Sequence, residues 1–72
     1  MNLKKLDLHG LKHHEVSIKV ENFVLLNQNL LPIEIVCGKS QKMIDIVINV
    51  LNQIECEEYF IKDFGSIIIR KI

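Results

Sequence analysis

Tryptophan is absent from this chain of 72 residues, proline occurs once, glycine three times and cysteine twice. With so few glycines and one proline there is no room for a flexible or low-complexity linker, and the chain reads as a single stand-alone domain, residues 1–72. Cys37 and Cys56 lie far apart with no CxxC spacing, which indicates neither a disulfide framework nor a structural zinc knuckle and fits reduced thiols. Net charge is also lacking. Nine basic residues cancel nine acidic ones, so no bulk attraction to polyanions exists and any nucleic-acid contact must rest on a local patch. No apolar run approaches the roughly 18 to 20 residues of a membrane span. The opening Met1-Asn2-Leu3-Lys4-Lys5-Leu6-Asp7 lacks the apolar stretch of a secretory signal. A soluble, cytoplasmic protein with no membrane partner is expected. The few aromatics, Phe23, Tyr59, Phe60 and Phe64, form no evident base-stacking platform, so composition does not choose DNA over RNA.

What is present is apolar residues, at 49%. A domain this small buries only about 60% of its unfolded-chain surface, so nearly every apolar position is expected to serve the core. Lys4 to His9 has the period of two of a strand, ended by Gly10. From about Lys12 to Leu31, Val16, Val20, Phe23, Val24 and Leu30 recur at helical spacing, although no Ser, Thr, Asp or Asn marks the start. Pro32 ends that helix and opens a strand, Ile33 to Cys37. Ser40 is placed to cap a second helix reaching about Glu55, with Ile44, Val47, Ile48, Leu51 and Ile54 on one face. Tyr59 to Phe64 and Ser66 to Ile72 read as closing strands about a tight turn at Gly65. The order is βαβαββ. It predicts an α/β two-layer sandwich, a four-stranded mixed sheet with two helices on one face. Ligands of such sheets gather beyond the carboxyl ends of the parallel strands.

Those ends carry the chain's chemistry. Asp7 and His9, two apart on a strand, point away from Leu6 and Leu8 and so toward the open face. Such a pair can serve as general acid and base, or can position a hydrated divalent cation such as magnesium. The plainer reading has Asp7 fixing Lys5 or the turn at Gly10, and His9 as a strand-end residue donating to a backbone carbonyl. Glu34, expected on the open face of the next strand, reads as a solvated surface charge more readily than as a second carboxylate.

The second candidate is Cys37-Gly38-Lys39-Ser40. Its Gly-Lys-Ser ending falls short of a phosphate loop, which needs a glycine where Ile33 stands. A smaller anion site survives that exclusion: free amides at a helix start beside Lys39 and Lys42, suited to a phosphodiester, against an ordinary turn with solvated lysines. His9, His13, His14 and Cys37 have no recognised ligand spacing, and no metal site is assigned to them. His14 and Glu15 are expected in the first turn of the first helix, and Cys56 in the core or at a strand edge.

Leu6-Asp7-Leu8-His9-Gly10 followed by a helix resembles the hallmark of small MutS-related (Smr) domains, matched letter for letter. Leu11 and Glu15 also stand where that family commonly has Leu and Glu. The resemblance spans essentially the whole chain, since Smr domains share the βαβαββ order, similar to the C-terminal domain of translation initiation factor three. Departures are plain. The family's His-Gly-x-Gly turn is Cys37-Gly38-Lys39-Ser40 here, keeping only Gly38 and the common Lys39, and a glycine-rich turn before the last strand is reduced to Phe64-Gly65-Ser66. Smr domains are associated with nicking DNA or cleaving RNA. The resemblance therefore implies an endonuclease in which Asp7 and His9 are catalytic.

Carried over to the glycine turn, it implies nucleic-acid contacts at Gly38 and Lys39. Gly10, Lys12, Ser40 and Lys42 complete the expected binding surface, with the lysines neutralising phosphate. Ser40 in place of glycine would hinder close approach of a phosphate to the backbone. Two alternatives stand beside the nuclease: a binding module that has lost the chemistry, and a protein-interaction domain using the open sheet face or a sheet edge. DNA or RNA is the expected partner, with a second protein or self-association supplying further affinity.

Overall fold

The computed structural model describes residues 3–63 and 65–72. Seven elements follow one another: β1 (Lys4–Asp7), α1 (His13–Leu26), a single 3-10 turn (Gln28–Leu30), β2 (Ile33–Val36), α2 (Gln41–Gln53), β3 (Glu58–Asp63) and β4 (Ser66–Lys71). The strands form one mixed sheet in the order β1-β2-β4-β3, with β1 parallel to β2 and the other pairs antiparallel. Both helices lie on one side and pack on each other, which gives the expected two-layer α/β sandwich. The expected turn residue Phe64 and the leading Met1 and Asn2 lie outside the described residues.

Alternation sorts the sheet into two faces. Leu8, Ile33, Ile35, Ile67 and Ile69 are fully buried on the helix side, where they meet Val16, Val20 and Val24 of α1 and Val47 and Leu51 of α2. Removing these large aliphatics from water supplies the main stabilising term, about 1.5–3 kcal/mol for each fully buried side chain. Helix α2 starts where Ser40 Oγ accepts from Met43 N at 3.2 Å, as expected for an N-cap. Helix α1 starts at Lys12 with half of a capping box. Glu15 Oε1 accepts from Lys12 N at 3.2 Å, and lysine has no acceptor to return the bond.

Several boundaries differ from the sequence reading for local reasons. Strand β1 ends at Asp7, two residues early, because the Asp7 carboxylate turns the chain at His9. Helix α1 ends at Leu26, where Asn27 Nδ2 donates back to Phe23 O at 2.7 Å and the chain tightens into the 3-10 turn. That leaves Leu30 half exposed, not in the core. Glu34 is the larger correction. It lies on the face without helices, yet only 4% of its surface is exposed, and Lys62 Nζ approaches its Oε2 at 3.8 Å. In register, Glu34 sits between Lys5 of β1 and Ile68 of β4, and Phe60 of β3 lies beyond Ile68. The flanking strands thus cover a carboxylate that sequence alternation assigned to solvent.

Candidate nucleic-acid interface

Leu8 anchors the first loop of the site. Its side chain is fully buried and its N–H donates to Val36 O at 2.9 Å, so the chain is held to β2 one residue past the strand. Beyond it the chain reverses: Leu11 N donates to Leu8 O at 3.1 Å across a turn whose third residue, Gly10, has φ +85°. A turn with positive φ at that position favours glycine. His9 occupies the corner of the turn and is exposed, as are Asp7, Gly10 and Lys12. Asp7 Oδ1 accepts from the backbone N–H of His9 at 2.8 Å. The carboxylate therefore shapes the turn that presents the imidazole, and its second oxygen has no protein partner within hydrogen-bond distance among the described residues.

A second loop runs alongside. Because β1 and β2 are parallel with Asp7 opposite Val36, both strands deliver their carboxyl ends to the same edge, and Cys37 to Ser40 follow there. Cys37 is buried, and burial pushes its thiol up to about 11. A thiol held neutral is a poor metal ligand and a poor nucleophile. Gly38 follows at φ +70°, and a Cβ there would meet nothing within 4 Å. Lys39 and Lys42 are exposed, and Ser40, half-buried, is engaged by Met43 N.

The β3–β4 turn supports this loop, a role the sequence reading did not assign. Gly65 O accepts from Cys37 N, and the Gly65 backbone lies so close to Gly38 that a Cβ on Gly65 would stand 2.6 Å from Gly38 O. With φ +111° as well, only glycine suits the position. A lone glycine between two strands was the available signal, but nothing local in the sequence tied it to Gly38.

Lys12, Lys39 and Lys42 thus sit at the starts of the two helices, beside the turn that carries Asp7 and His9. Of the eight candidate residues Asp7 closes β1, and the other seven fall on the two loops at the carboxyl ends of β1 and β2 or on the helix starts that follow them. Among the described residues no three His, Cys, Asp or Glu side chains gather closely enough to hold a metal ion. Asp7 offers one carboxylate, which does not make a dedicated cation site. No helix among them is long and apolar enough to cross a membrane. Compared with protein-family models, curated proteins and solved structures, the chain matches none.

Proposed function

We propose that this domain binds nucleic acid at the carboxyl ends of β1 and β2 and cleaves a phosphodiester there, in the manner of the Smr domains its first motif resembles. One observation carries the reading: the exposed Asp7 and His9 and the Gly38-Lys39 turn, with Lys39 exposed before a helix start, lie side by side at the ends of adjacent parallel strands. A phosphate seated against the amides preceding α2 would be neutralised by Lys39 and Lys42, with Lys12 on the flank. His9, at the turn corner, is free to transfer a proton to or from an attacking or leaving oxygen. Asp7 holds that corner in place and keeps one carboxylate oxygen available to orient water. The donor set does not fit a resident metal ion, and no step is assigned to one.

Asp7 bonded to the backbone amide of His9, not to its imidazole, favours a second reading in which the fold binds nucleic acid without cleaving it. End-labelled single-stranded RNA, double-stranded RNA and supercoiled DNA, incubated with and without divalent ions, separate the two. Cleavage by the natural chain, lost in both Asp7→Asn and His9→Ala with the fold retained, is the expected outcome. Salt-dependent binding with no product from any substrate would replace it with the second reading.

A further inference from the structure

The edge of the sheet opposite the loops differs from the edge beside them. Strand β1 is four residues long and opens on two exposed lysines, the features that keep an edge strand from pairing. Strand β3 has six residues, Glu58–Asp63, and its middle is apolar: Phe60 is 46% exposed and Ile61 51%. Such an edge leaves a row of backbone donors and acceptors beside uncovered apolar surface.

From the charges along that edge, we infer that β3 pairs antiparallel with β3 of a second copy of this chain about a two-fold axis at Phe60. A two-fold axis perpendicular to the sheet keeps each residue on its own face, so the pairing must be centred on a residue. On the face without helices lie Phe60, which pairs with Ile68; Glu58, whose Oε2 meets Arg70 Nε at 3.3 Å; and Lys62, which reaches Glu34. Centred on Phe60, the pairing sets Glu58 opposite the partner's Lys62 and Lys62 opposite the partner's Glu58, with the two Phe60 rings between them. On the helix side, Tyr59 meets the partner's Ile61 and Ile61 meets the partner's Tyr59. Opposite charges and aromatic or β-branched residues directly across an antiparallel pair are the favourable combinations.

The alternative centre at Ile61 sets Phe60 against Lys62 and Tyr59 against Asp63, and joins no acid to a base. Register shifts at Glu58/Tyr59 and at Ile61/Asp63 confine regular pairing with β4 to Tyr59, Phe60 and Ile61, so the Phe60-centred contact takes its ladder from that stretch and its two charge pairs from the flanking Glu58 and Lys62. The product is one eight-stranded sheet. Its two β1 edges, with Asp7 and His9, stand at the outer ends, so pairing covers neither candidate site.

Sedimentation equilibrium of the natural chain at roughly 100 µM tests this, a concentration suited to a small interface. A reversible dimer is expected. Glu58→Lys alone and Lys62→Glu alone each turn two attractive pairs into two repulsive ones and weaken self-association at least about tenfold. An equimolar mixture of the two variants regains dimers, because one chain then presents only bases and the other only acids. Amide exchange at Tyr59 to Ile61 in the unsubstituted chain, slowing as concentration rises, checks the same contact without any substitution. A natural chain that stays monomeric with concentration-independent exchange overturns the inference, as does a dimer unaffected by either reversal.

Discussion

Three glycines share positive φ, but they do not share a reason for being glycine. At Gly38 an added methyl meets open space, so Gly38→Ala bears only the left-handed backbone penalty, about 1–2 kcal/mol. At Gly65 the methyl would also press on Gly38 O, and Gly65→Ala is expected to lose about 3 kcal/mol or more, read as a drop in the urea midpoint well beyond that of Gly38→Ala. Equal losses would contradict the packing of one glycine on the other. Cys37 makes a pH prediction. Its thiol is raised in the fold from about 9 to about 11 by burial, so the folded state holds that proton more tightly than the unfolded chain. The contribution is fully present below pH 9 and is lost as pH climbs toward 11, at up to about 1.4 kcal/mol per pH unit. Cys56, raised in the same direction by burial, adds to the trend. Subtracting the alkaline stability curve of Cys37→Ala isolates the Cys37 part, and parallel curves would contradict it.

At the level of elements, α2 was readable in its cap and in part of its apolar face: Ile44, Val47 and Leu51 are buried as expected, but Met43 and Val50 complete the face while Ile48 and Ile54 are only partly buried. Ser40→Ala removes the acceptor for Met43 N and is expected to cost about 1 kcal/mol, measurable by thermal or urea unfolding. A loss near zero would mean the hydroxyl does not cap the helix in solution. Helix α1 was legible in its core face but not in its ends, because Lys12 and Asn27 terminate it through backbone and side-chain bonds that carry no strong sequence signature. The two closing strands were legible as strands, but their order was not. The signal lay in the contrast between the unbroken Ile67-Ile68-Ile69 of β4, all buried, and the charge-flanked β3. A strand covered on both faces reads as a continuous apolar run, and an edge strand keeps charges. Glu34 was misjudged for a related reason: its cover comes from three other strands, which periodicity within its own strand cannot report.

At the scale of the molecule, parallel β1 and β2 bring Asp7, His9, Gly10 and Lys12 beside Gly38, Lys39, Ser40 and Lys42, residues about thirty positions apart in the chain. The motif at β1 pointed to this edge from sequence alone, and the order of elements pointed to the neighbouring loop. The Gly65 prop required the fold, since it joins groups that no residue pattern ties together, whereas the bond from the His9 amide to Asp7 is the local turn-fixing role the plainer reading of Asp7 had assigned. With no net charge on the whole chain, affinity for a polyanion has to come from those lysines, so binding should weaken steeply with added salt and Lys39→Gln should lower that salt slope by about one.

The most direct test of the account is an NMR titration of the isotope-labelled chain with a short single-stranded oligonucleotide, following backbone amides. The shifts are expected to concentrate on His9 to Lys12 and Gly38 to Lys42, with β3 unmoved. Shifts centred on β3 or the face around Glu34, or no shifts at low salt, would contradict it.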